Sequence, residues 1–177
     1  MRIVVPDPGG TSPLVRSVWT ILSRSDAAAA VIAERLFTQT VSPILTAIRR
    51  PHDRASAQVL LACAAEEHHT LPLDVLAAAL AEDGISSCVL GARVPSQALA
   101  TAAGRLRPAV VAAWSQTRDT ADPRQITALL TAGPAMIAAG PGWTSAALPT
   151  SANLSSNVAA ALTQTRTLLR TSPPTQR

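Results

Sequence analysis

The chain has 177 residues and a formal net charge of +4, enough for one α/β domain with a packed core plus a small appended element. Every basic residue is arginine, scattered rather than striped, and aromatics are sparse, with three Trp, one Phe and no Tyr. This argues against a nucleic-acid-binding stripe, a stacking platform for single strands and a carbohydrate cleft.

No basic-then-apolar leader opens the sequence, and no apolar run reaches about 18 residues, so neither a signal peptide nor a membrane span is expected. Cys63 and Cys88 fall in apolar runs and read as small buried thiols of a reducing compartment, not as a disulfide. The expected location is the cytoplasm.

Residues 1–10 begin strand-like and break at Pro and Gly. Thr11 to Arg24 predicts a helix with Leu14, Val18, Ile21 and Leu22 on one face. Asp26 can cap a second helix, Ala27 to about Thr40. Pro43 either breaks it or begins a third, Ile44 to Arg50. Residues 51–56 are a polar linker, so 1–56 forms a short helical element.

From residue 57 strand and helix patterns alternate. A strand at 57–63 precedes a polar loop and a helix from Leu71 to Asp83, with Pro72 in its first turn and Gly84 ending it. Leu73, Leu76, Ala77 and Leu80 form that helix's apolar face. Next come a strand Ser86–Leu90, a helix from Pro95 to Leu106 and a strand Ala109–Trp114. A polar loop, Ser115–Ala121, leads to a helix Pro123–Thr131 capped by Asp122, then a strand Ala135–Ala139. A short strand near Ala146–Asn153 and a helix from about Ser155 to Arg170 complete the domain at 57–170. The Ser/Pro/Thr-rich tail, 171–177, is expected to be disordered.

Such alternation predicts βαβ units and a parallel sheet. The expected fold is flavodoxin-like: a doubly wound, five-stranded parallel sheet preceded by the helical element. Ligands of such sheets bind at the carboxyl ends of the strands, where His69, Gly91, Ser115 and Gly140 fall.

The loop Glu66-Glu67-His68-His69-Thr70 is the chemical focus. A histidine can ligate a metal, and a carboxylate nearby can take its second ring N–H, fixing the tautomer and raising basicity. Alone the pattern is weak, because adjacent histidines in a polar loop are usually just solvated. Likewise Ser115 alone could be an ordinary loop residue, and Gly140 and Gly142 alone could make a turn. Trp143 reads as cover for an apolar edge, and His68 as exposed.

Together these positions resemble the cobalamin-binding domain family over about 57–170. Glu67-x-His69-x-x-Pro72 is similar to its Asp-x-His-x-x-Gly signature, with Pro72 where glycine is usual. Ser115-Gln116-Thr117 is similar to its Ser-x-Leu or Ser-x-Thr station, and Gly140-Pro141-Gly142 to its Gly-Gly station. Leu90-Gly91-Ala92-Arg93-Val94-Pro95 looks like its second-strand exit.

The resemblance implies that His69 is the lower axial ligand to cobalt, replacing the cofactor's own benzimidazole, with Glu67 behind it. It implies that Ser115, Thr117, Gly91, Gly140 and Gly142 line the cofactor site. The ligand would be adenosylcobalamin or methylcobalamin. The group it looks closest to is the sensor half of cobalamin-dependent MerR-type transcriptional regulators. Those carry a Trp and a Glu-His pair in a helical cap; Trp19 has no such partner here.

The expectation is therefore a non-enzymatic sensor or regulatory module. It has no DNA-binding part of its own and acts through self-association or a partner regulator. The alternatives are a corrinoid-carrying subunit of a methyltransferase or mutase, and a degenerate association module without cofactor.

Overall fold

Continuous apolar runs become the inner strands of a parallel sheet. The computed structural model of the protein describes residues 39–47, 57–130 and 133–171. The helices expected before residue 39, the linker at 51–56 and the tail beyond residue 171 lie outside them.

Among the described residues one 5-stranded sheet forms, with strand order β2-β1-β3-β4-β5. Its members are β1 (Val59–Cys63), β2 (Ser87–Gly91), β3 (Val110–Trp114), β4 (Ala135–Ala139) and β5 (Asn153–Ser155), all paired in parallel. The helices are α1 (39–47), α2 (Leu71–Glu82), α3 (Ser96–Leu106), α4 (Pro123–Leu130) and α5 (Val158–Thr171). This is the flavodoxin-like, doubly wound sheet. Its order reverses between β1 and β3, which opens a crevice at their carboxyl ends.

Every residue of β1 and β3 is buried, as a strand covered on both faces requires. Side chains alternate between two cores. Val59, Leu61, Cys63, Val110, Ala112 and Trp114 face α2 and α5. Leu60, Ala62, Val111, Ala113, Met136 and Ala138 face α3 and α4, together with Trp143.

Three local expectations need correction. α2 is not one-sided: every residue from Leu71 to Ala81 except Asp74 is buried. It lies between the sheet and a second layer. Ser42 of α1 donates to the Asp74 carboxylate, and Leu45 of α1 is fully buried in the same core. On the other flank Arg166 of α5 holds Asp83 through paired bonds of 2.7 and 2.8 Å.

Pro43 neither breaks nor begins a helix, since residues 39–47 are helical straight through it. Proline forfeits one intrahelical bond there, and burial of Leu45 offsets the loss.

The last strand falls later than expected. Ser145–Ala147 is a single 3-10 turn, and pairing with β4 begins at Asn153, opposite Ile137. The expected stretch contains Pro149, which cannot donate to a ladder, whereas Asn153 also anchors its amide to the Met136 carbonyl at 3.1 Å.

Candidate functional site

β1 ends at Cys63, and the next N–H, that of Ala64, bonds the Trp114 carbonyl at the end of β3 at 2.8 Å. The two strand exits are thereby tied together, and Glu66–Thr70 leaves the sheet at its switch point. Pro72 sits in the first turn of α2, where its missing N–H costs nothing.

Glu67 turns inward and is 1% exposed. Its Oε1 accepts the N–H groups of His68 and His69 at 2.8 and 2.9 Å, and the Nδ1 of His69 as well. Its Oε2 accepts the Gln116 N–H at 2.6 Å and the Thr120 hydroxyl at 2.7 Å. Burial pushes this carboxyl up, but the bonds from His69, Gln116 and Thr120 outweigh it and hold it down at about 2. An ionised carboxylate only accepts, so Nδ1 of His69 carries the proton and the lone pair of the neutral ring resides on Nε2. The His69 side chain is 34% exposed, so this nitrogen belongs to a ring at the protein surface.

The neighbouring exits enclose this pair. Arg93, at a φ of 49°, donates its N–H to the Glu67 carbonyl at 2.9 Å, joining the β2 exit to the β1 exit. Its guanidinium meets Glu66 at 3.2 Å on an exposed face, where such a pair contributes little. The Cys63 thiol points to the His69 carbonyl at 3.5 Å. Burial, then the charges of Glu67 and Asp74, push that thiol up to about 12.

Ser115 is fully buried. Its hydroxyl donates to the Thr117 carbonyl at 2.9 Å and lies 2.7 Å from the Thr120 hydroxyl. Gly142 donates its N–H to the Ser115 carbonyl at 3.0 Å. A β-carbon on Gly140, whose φ is 107°, would stand 2.2 Å from the Ser115 carbonyl oxygen, and one on Gly142 would stand 2.3 Å from that of Thr117. Both glycines therefore let the β3 and β4 exits touch.

No family model matches the chain, and no curated protein matches it. Among solved structures it is similar to a novel cobalamin-binding protein from Desulfitobacterium hafniense DCB-2. That match has a TM-score of 0.52 and 15% identity, over 86% of this chain and 89% of that one. It is also similar to the methanol:cobalamin methyltransferase complex MtaBC from Methanosarcina barkeri. There the TM-score is 0.59 with 12% identity, over 94% of this chain and 82% of that one. At such identities the likeness is one of fold.

The structure thus gathers Glu67, His69, Ser115, Thr117, Gly140 and Gly142 at adjoining strand exits. Gly91 stands apart from their bonds. It ends a register shift in which Leu61 pairs Val89 and Ala62 pairs Gly91, with a φ of 92° and open space over its α-carbon. His68 is exposed. Trp143 is buried on the far face, its indole N–H on the Ala113 carbonyl at 3.1 Å.

Two participants escaped the sequence. Thr120 lies 53 positions from Glu67 in a polar loop whose composition signals only a turn. Trp114 reads there as the end of a strand. Its indole is 3% exposed and edges the Gly140 backbone, with the ring carbon Cε2 3.1 Å from where a β-carbon would sit. Its N–H is buried without a hydrogen-bond partner.

Proposed function

We propose that the chain binds cobalamin, with Nε2 of His69 as the lower axial ligand, and serves as a non-catalytic sensor or regulatory module. The observation that carries this is the Glu67–His69 pair at the switch point. A buried, ionised carboxylate holds Nδ1–H and so leaves the lone pair of the neutral imidazole to Nε2.

The donor set supports a metal that arrives already chelated. Among the described residues no group of three or more His, Cys, Asp or Glu side chains could hold a bare ion. One imidazole suits an ion whose remaining ligands belong to a macrocycle. When bound, the cofactor would supply cobalt–carbon chemistry. The chain's own part is to fix one nitrogen, keep its tautomer and exclude water beneath it.

The expected tail stations fit less well. The Ser115 hydroxyl already serves Thr117 and Thr120, and Gly140 and Gly142 face the protein's own backbone.

A second reading, a corrinoid-carrying subunit, is favoured by the likeness to the MtaBC complex, in which the chain spans 82% of the matched chain. In that case the upper face would be presented to a partner enzyme.

The test is anaerobic EPR of the cobalt(II) forms of cobalamin and cobinamide mixed with the full chain. Coupling to an imidazole nitrogen with either corrinoid, lost in His69→Ala, is expected. Absence of that coupling with both corrinoids would sink the proposal. Methyl transfer to or from the bound corrinoid by an added methyltransferase would favour the carrier reading.

A further inference from the structure

We infer that this site selects corrinoids by the size of their lower tail, taking cobinamide, which lacks the nucleotide and base, over complete cobamides. The inference rests on the His69 reading and adds a specificity to it.

The place where the resemblance puts the tail is filled by the protein itself. The β3 exit loop, Ser115–Ala121, lies directly on the β4 exit. Gly142 donates to Ser115, and the approach is so close that added β-carbons would stand 2.2 and 2.3 Å from carbonyl oxygens of the opposite loop. Beneath the contact lies the Trp114 indole, packed in the same core as Cys63, Leu71 and Val158. An indole is among the largest groups that could stand there, and it occupies space that a smaller side chain would leave to an aromatic base.

The loop is also locked shut from within. Its Gln116 N–H and Thr120 hydroxyl end on Glu67, and its Ser115 hydroxyl ends on Thr117 and Thr120. To admit a nucleotide the loop must leave the β4 exit, and Gln116 and Thr120 must then leave Glu67. That carboxylate is the one holding His69. Inserting a tail therefore disturbs the pair that orients the cobalt ligand, and a tail-less corrinoid disturbs nothing.

The experiment is anaerobic absorbance titration of the full chain with the cobalt(II) forms of cobinamide and p-cresolylcobamide. The second carries a full nucleotide tail whose phenolic ring does not ligate cobalt, so the comparison reads bulk and not competition from an internal base. Cobinamide is expected to bind about tenfold more tightly or better, a difference well within one hydrogen-bonded loop's worth of free energy. Thr120→Val, which releases the loop from Glu67, is expected to narrow that gap. Equal affinities, or tighter binding of the tailed corrinoid, would overturn the inference while leaving the His69 reading intact. Binding of neither, or binding indifferent to His69→Ala, would overturn both.

Discussion

The hydroxyl of Thr120 donates to the buried Oε2 of Glu67 at 2.7 Å, joining the β3 exit to the β1 exit. Hydrogen bonds to a charged group contribute about 1.5–3 kcal/mol. Thr120→Val keeps the shape and removes the donor. It should lower stability by about 2 kcal/mol, read as a reduced urea midpoint with an unchanged slope.

Acid should weaken the fold in a definite window. The Glu67 carboxyl is lowered from 4.5 to about 2 in the native state. Between those values the unfolded chain binds the proton and the native chain does not. Stability is therefore fully present above 4.5 and is lost as pH falls towards 2, by about 3 kcal/mol in all. Urea unfolding across that range measures it, and Glu67→Gln should flatten the profile there.

Alanine at three glycines should have opposite signs. Gly140→Ala and Gly142→Ala drive a β-carbon into carbonyl oxygens at 2.2 and 2.3 Å, and each should cost more than about 2 kcal/mol. Gly104, exposed within α3, has nothing within 4 Å of its would-be β-carbon. Gly104→Ala should stabilise by about 0.5–1 kcal/mol. Thermal melts of the three variants decide the matter.

Cys63 should be inert in the native protein. Its thiol is fully buried and pushed up to about 12, and only the thiolate attacks an alkylating reagent. Iodoacetamide at pH 8 should leave Cys63 unmodified in the folded chain and modify it in urea, as peptide mass spectrometry would show. Rapid native modification would mean that the Glu66–Thr70 loop opens readily.

The strands were legible because burial on both faces leaves an unbroken apolar run, as in Val59–Cys63 and Val110–Trp114. The exits followed from the order of elements, and Glu67 with His69 from the spacing of one short loop. What the sequence hid is what depends on distance along the chain. Thr120 and Gln116 reach Glu67 only once β1 and β3 lie side by side. The burial of α2 on all sides depends on α1 and α5, which no helical period within α2 announces. Gly140 and Gly142 are a related case, because the loop that lies close to them, the β3 exit, is distant in sequence. A glycine pair signals close approach, but not whether a ligand or a second loop does the approaching.

α2 gives the boundary at residue 57 a mechanical meaning. A 12-residue rod greasy around its whole girth has no face of its own to show to water. Leu45 and Ser42, upstream of that boundary, are part of its sheath. A chain cut at residue 57 would keep the sheet and every side chain of the Glu67–His69 pair, yet bare a strip of leucine and alanine beside them. Such strips drive self-association. The upstream helix is thus wrapping for the rod whose first turn begins just past His69.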